Sequence, residues 1–323
     1  MILSRQLFCT TLALATFIAA AHAQAPAPLL TRVKMATIGA PDVGKIESLY
    51  TKYLGLTVRE KGKVSAAMAE SWGAPKAAGQ PFVTMSSDGS PDVAFRAVST
   101  PAVKGYRPMT TWGWNAFEVI VDDIDKLDAT LKSSPFKIIG EPHSLGGTFA
   151  SIKAMQVMGP AGEVLYLTTE TGDRQKSNLP IPKAQVDRPF IFILAGSDVG
   201  VLRDFYANTF AMKTFPNFDG ALLPAAKAMG LPADHAFPLT LVRAAERGNT
   251  IELDAYPATA KARPRAAGQL PPGNALASMN VNSLDGLKVS FITAPKALYG
   301  PKRAATFVGP AGELMELIEE PRP

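Results

Sequence analysis

The chain has 323 residues, 33 Lys and Arg against 28 Asp and Glu, a formal net charge of +5, and 47% hydrophobic residues. Its basic residues are scattered, with short clusters only at Lys261-Ala-Arg263-Pro-Arg265 and Lys302-Arg303. A nucleic-acid surface needs a basic stripe interleaved with aromatics, so no nucleic-acid partner is expected. The single cysteine, Cys9, rules out a disulfide within the chain, and only three histidines (His22, His143 and His235) are present.

Residues 1–23 read as a secretory signal. Arg5 supplies the positive start, Leu7 to Ala20 is an apolar run, and Ala21-His22-Ala23 is an A-x-A cleavage site. The run is too short to span a bilayer, and no later stretch reaches the roughly 20 apolar residues needed. A periplasmic or secreted product is expected. Cleavage removes Cys9 and His22, leaving no thiol and only His143 and His235.

The remainder repeats itself. Pro41-Asp-Val-Gly44 followed by Leu49-Tyr50 recurs as Ser197-Asp-Val-Gly200 followed by Phe205-Tyr206. Trp72-Gly-Ala-Pro75 recurs as Met229-Gly-Leu-Pro232, and Gly159-Pro-Ala-Gly-Glu163 as Gly309-Pro-Ala-Gly-Glu313. The order is kept, so two copies of one domain are expected, over 31–172 and 187–321, with a polar linker at 173–186.

Each copy divides again. An apolar strand, Val33 to Ala40, enters Asp42, whose side chain can accept from free amides at a helix start. The helix from Val43 carries Ile46, Leu49, Tyr50 and Tyr53 at helical spacing and stops at Gly55. Phe117 to Val121 enters Asp122-Asp123 in the same way, and strands such as Phe82 to Met85 and Val164 to Thr168 follow. Four βαβββ modules result. In the last, the helix is expected to shrink to about one turn at Ser283 to Leu287.

The stretch Asp42…Leu49-Tyr50…Leu54-Gly55 resembles the opening "D…FY…LG" of vicinal-oxygen-chelate domains, the superfamily of glyoxalases, bleomycin-resistance proteins and extradiol dioxygenases. Gly309-Pro-Ala-Gly-Glu-Leu-Met-Glu316-Leu resembles their closing strand. The resemblance covers nearly the whole mature chain. It implies an α+β fold: two tandem domains, each of two βαβββ modules forming a curved, half-open, eight-stranded sheet around a cavity.

The resemblance also implies where a metal would be held. Those positions carry Met35, Ala116, Ala94 and Tyr166 in the first copy, and Ile191, Leu276, Glu252 and Glu316 in the second. Only two glutamates are retained and no histidine, whereas a zinc, nickel or iron centre wants imidazole with carboxylate. No metal and no other cofactor is expected.

Strand alternation assigns Thr37, Arg96, Trp114, Glu118, Tyr166 and Thr168 to one cavity, and Glu252, Asp254, Ser278, Asn280 and Glu316 to the other. Arg96, Trp114, Glu118, Tyr166, Ser278 and Asn280 are the candidate ligand-binding residues. An arginine fork and a tryptophan face suit a planar anionic molecule. The alternative is that Trp114 fills core space and Arg96 merely neutralises Glu118. Glu252 and Glu316 are candidate catalytic residues: two close carboxyls among apolar walls cannot both ionise cheaply, so one can donate a proton. The alternative is a relict pair. His143 and His235 are expected on loops or turns, and the inserts at 64–73 and 221–230 over the cavities or on the sheet edges.

Three functional readings follow: a metal-independent binding protein for a small, partly apolar organic molecule, a divergent lyase, isomerase or hydrolase using cavity carboxylates, or an assembly partner with no small ligand. A second copy of the chain is a candidate partner.

Overall fold

The computed structural model describes residues 27–320; the expected signal at 1–23 lies outside them. Module 1 runs β1 (Leu30–Ala40), α1 (Val43–Leu54), β2 (Thr57–Lys63), α2 (Ala66–Ser71), β3 (Pro81–Ser86) and β4 (Ala94–Ser99). Module 2 is β5 (Gly113–Val121), α3 (Ile124–Leu131), β6 (Lys137–Ser144), β7 (Ile152–Met158) and β8 (Val164–Glu170). Module 3 is β9 (Val186–Gly196), α4 (Val199–Phe210), β10 (Lys213–Thr214), β11 (Phe218–Ala221), α5 (Leu223–Met229), β12 (Ala236–Arg243) and β13 (Thr250–Ala255). Module 4 is all strand: β14 (Gly273–Val281), β15 (Lys296–Tyr299), β16 (Lys302–Val308) and β17 (Leu314–Glu319). The helical turn expected at Ser283 to Leu287 is a hydrogen-bonded turn, in which Leu284 N–H donates to Glu319.

The helix starts are capped as the sequence requires. The Asp42 side chain accepts from Lys45 N–H, Asp123 from Asp125 and Lys126, and Asp198 from Gly200 and Val201. Gly55 ends α1 at φ 67°, a backbone region that only glycine enters cheaply.

The sheets do not follow the sequence halves. One has the order β15-β16-β17-β14-β1-β4-β3-β2, joining module 4 to module 1. The other has β10-β12-β13-β9-β5-β8-β7-β6, joining module 3 to module 2, with β11 paired to β12. The linker between the two copies therefore runs from β8 to β9 within one sheet. The crossings between sheets occur after β4 and after β13.

Helices α1, α3 and α4 cover the convex faces, where one apolar core continues across the junction of the two sheets through Trp114, Phe117, Phe192, Tyr50, Tyr206 and Phe307. Repeated sequence features tie that junction. Tyr50 O–H donates to Glu163 at 3.3 Å and Tyr206 O–H to Glu313 at 2.8 Å, each from a helix of one sheet to a turn of the other. Asn274 accepts from Val164 N–H and donates to its carbonyl, and Trp114 Nε1 donates to the Leu314 carbonyl at 2.7 Å. The repeated Gly-Pro-Ala-Gly-Glu motifs are thus clasps between sheets.

Candidate functional site

The concave side of the first sheet is filled from within. Helix α2, capped by Ser65, packs Met68, Ala69 and Trp72 onto Val98, Leu276 and Leu314. Below it lies one closed polar network. Trp72 Nε1 donates to Glu316 at 2.8 Å, Ser278 O–H at 2.6 Å and Tyr299 O–H at 2.9 Å. The Arg96 guanidinium completes it, 3.3 Å from Glu316, bonded to Thr37 (3.1 Å) and Tyr299 (2.5 Å) and stacked 4.5 Å from the Trp72 ring. Trp72, Arg96, Ser278 and Glu316 are all essentially inaccessible. Burial and the neighbouring Glu316 push the Tyr299 phenol well above its ordinary range. A buried charge is tolerable only when paired and hydrogen-bonded, and this one is.

The second sheet is covered differently. Helix α5 lays Ala225 and Ala226 over Ala116, Ile193, Tyr166 and Phe237, closing one end. The other end is an open cleft of about 630 Å³, with Ile191, Leu241, Thr250 and Arg243 on its floor and Phe149, Leu179, Phe215 and Phe218 around it. Phe149 and Phe218 are exposed at its rim. Beside the cleft sits an acidic cluster. Glu252 shares the face of β13 with Thr250, and Glu118 is level with Ile191. Glu118 accepts from Thr168 O–H at 2.6 Å. Asp254 is fully buried with neither carboxylate oxygen hydrogen-bonded, and the buried Tyr256 hydroxyl is likewise unpaired. Burial raises Glu118 to about 7, against the Thr168 bond, and Asp254 to about 8. Burial, with Asp254 and Glu118 nearby, raises Glu252 well above the usual carboxylate range. These carboxyls therefore keep protons to higher pH than exposed ones and, when protonated, can donate hydrogen bonds.

Several sequence expectations need correction. Glu252 and Glu316 lie on different sheets and form no pair, because the sheets combine modules 2 with 3 and 1 with 4. For the same reason Arg96 is partnered by Glu316, not Glu118, and belongs with Ser278, while Glu118 and Tyr166 belong with Glu252. Trp114 does not face a cavity. Trp114 pairs with Leu194 and Ala116 with Ile193, so Asn115 is an unpaired bulge residue that turns Trp114 to the convex core beside Phe192. Asn280 is buried, donating to the Ile318 carbonyl. His143 sits exposed on β6 with Nδ1 2.9 Å from the Glu141 carbonyl, and His235 packs edge-on to Phe237. The residue the sequence reading missed is Arg243. Its signal was its place at the end of β12, two residues past Leu241 and on the same face.

Cross-strand register also shifts the positions implied for a metal. Level with Met35 are Ala94, Ser278 and, beyond Ser278, Glu316; level with Ile191 are Thr250, Glu118 and, beyond it, Tyr166. Ala116 and Leu276 lie two residues before those levels on their strands, and Glu252 two residues after. Neither row fits a transition metal. Each offers one carboxylate and no imidazole, and Glu316 already faces the Arg96 cation. Among the described residues no group of three or more His, Cys, Asp or Glu is arranged to hold a metal.

No family model and no curated protein matches the sequence. Solved structures do match in fold. Glyoxalase I from Zea mays is 18% identical with a TM-score of 0.59, covering 89% of this chain and 92% of its own. A putative dioxygenase from Bacillus subtilis subsp. subtilis str. 168 is 12% identical with a TM-score of 0.62, covering 92% and 86%. With the two curled sheets built from four βαβββ-type modules, these likenesses show that the chain has the tandem fold of the glyoxalase/bleomycin resistance/dioxygenase superfamily, the vicinal-oxygen-chelate fold.

Proposed function

We propose that the protein is exported and binds a small, partly apolar organic molecule in the cleft of the second sheet, without the metal that its fold relatives' chemistry would suggest. The carrying observation is the asymmetry between two equivalent concavities: Trp72, Arg96 and Glu316 fill one, while the other opens as a cleft of about 630 Å³ with apolar walls. Pockets of that size and lining are the usual seats of small ligands. The test is calorimetric titration of a panel of aromatic and branched aliphatic compounds, with and without a chelator, on wild type and Leu241→Trp. Binding that ignores the chelator and is lost in Leu241→Trp supports the reading; binding that requires an added divalent metal contradicts it.

One observation favours a second reading, turnover by acid–base chemistry. Asp254 has two unpartnered oxygens in a cluster with Glu252, Glu118 and Tyr166, a costly arrangement to keep for packing alone. On that reading Glu118, Glu252 and Asp254 would move protons, and Glu316 would not. Substrate depletion that survives a chelator and disappears in Glu118→Gln would favour it.

A further inference from the structure

On the edge of the second sheet, Lys213 of β10 lies directly opposite Arg243 of β12. Like charges at paired positions of antiparallel strands repel, so such a pair is a cost unless something neutralises it. No carboxylate in the structure does so among the described residues. The ion pairs nearby are Lys176 with Asp173 at 3.2 Å, Arg174 with Asp122 at 2.6 Å and Arg203 with Asp204 at 2.8 Å, and none includes Lys213 or Arg243. Glu246, in the turn after β12, acts on Arg32 and does not line the hollow beside Lys213 and Arg243. Arg247 is held by carbonyls of the linker, at Arg174, Gln175 and Ser177.

Lys213, Arg243 and Arg247 thus line a hollow of about 340 Å³ that contains no carboxylate. Its remaining wall is Pro28, Asn178, Ala244, Ala245 and Gly248. The Arg243 guanidinium is stacked 4.8 Å from the Phe215 ring, which orients its donors without consuming them. The hollow is continuous with the ligand cleft, because Asn178, Arg243 and Gly248 line both. The acids of the cleft are already engaged: Asp173 by Lys176, and Glu170 by Gly172 N–H and the Arg174 charge.

We infer that the ligand is an amphiphilic anion. Its apolar body lies against Ile191, Leu241 and Phe218, and its oxyanion head, a carboxylate or a phosphate, reaches the Lys213–Arg243 pair. Arg243 supplies a planar fork for two oxygens and Lys213 a second point charge. The inference rests on the cleft reading above and adds the head group and where it sits.

Three probes with one apolar body separate the two claims: 2-naphthoate, 2-naphthyl phosphate and uncharged 2-naphthalenemethanol, titrated by calorimetry into the full-length mature protein. At least one anion is expected to bind tenfold or more tighter than the alcohol. Arg243→Gln and Lys213→Gln should each weaken the anions more than the alcohol and so remove most of that margin, and raising the salt should narrow it. Which anion wins distinguishes carboxylate from phosphate. If alcohol and anions bind equally and Leu241→Trp abolishes all three, the cleft stands and the head-group inference falls. If anions bind, are lost in Arg243→Gln and ignore Leu241→Trp, the cleft reading falls and takes this proposal with it. If no probe binds the folded protein, both fall.

Discussion

The Trp72 indole N–H donates to the Glu316 carboxylate at 2.8 Å, joining the lid helix of the first module to the last strand of the chain. Around that bond the first concavity became solid core: the position that would serve a ligand serves Arg96 instead, and the cation is internal and permanent.

Removing one charge of this network should be worse than removing both. Glu316→Leu leaves the Arg96 guanidinium buried without its carboxylate, a loss of about 3–5 kcal/mol. The double variant Arg96→Met/Glu316→Leu should recover part of it, because it removes the unpaired buried cation, while Trp72, Ser278 and Tyr299 stay without their acceptor in both variants. Urea denaturation of the three proteins checks this; additive losses would contradict it.

Trp114 should matter to stability and not to ligand. It packs 5.7 Å from Phe192 on the convex side and bonds the Leu314 carbonyl across the sheet junction. Trp114→Ala should therefore cost about 3–5 kcal/mol, while affinity for any cleft ligand stays within twofold at temperatures where the variant is folded. A tenfold loss of affinity would return Trp114 to the site.

These two cases mark how far the sequence can be read. The helix caps at Asp42, Asp123 and Asp198 and the stop at Gly55 depend on neighbours a few residues away, so they were legible. The repeated Gly-Pro-Ala-Gly-Glu turns announced two copies, but nothing local says which module shares a sheet with which. The Glu163 and Glu313 clasps show how the repeat is used: each glutamate reaches a tyrosine of the other sheet. The Asn115 bulge was illegible for a different reason. One unpaired residue reverses every face beyond it, and alternation carries no mark of it. Alternation places Arg96 on the inward face; its partner depends on module pairing. Arg243 stayed hidden because its importance lies in what is missing around it.

Stability should fall as pH rises from the ordinary carboxylate range toward neutrality. Burial pushes Glu163 and Glu313 up to about 7, against the hydrogen bonds from the tyrosines and from Ala161 and Ala311. A carboxyl raised in the folded state keeps a proton that the unfolded chain gives up. Its contribution is complete below the ordinary carboxylate pKa and is lost as pH climbs to about 7, at roughly 1.4 kcal/mol per pH unit per group. Denaturation midpoints between pH 5 and 7 should show that fall, to which the buried Glu118, Glu252 and Asp254 contribute in the same direction, and Glu163→Gln/Glu313→Gln should make it shallower. An unchanged slope in the double variant would contradict the assignment.

With no ligand present, Lys213→Gln should stabilise the protein by about 0.2–1 kcal/mol, because it relieves two facing cations. High salt should erase the gain. A destabilised variant would mean that Lys213 is already paired within the fold.

One cleft is open and its twin closed, and the backbone amide spectrum reports this directly. Adding the tightest-binding compound to labelled protein should shift the amides of Ile191, Leu241, Thr250 and Arg243 and leave those of Trp72, Arg96 and Glu316 in place. Shifts centred on Trp72, Arg96 and Glu316, with the cleft residues silent, would contradict it.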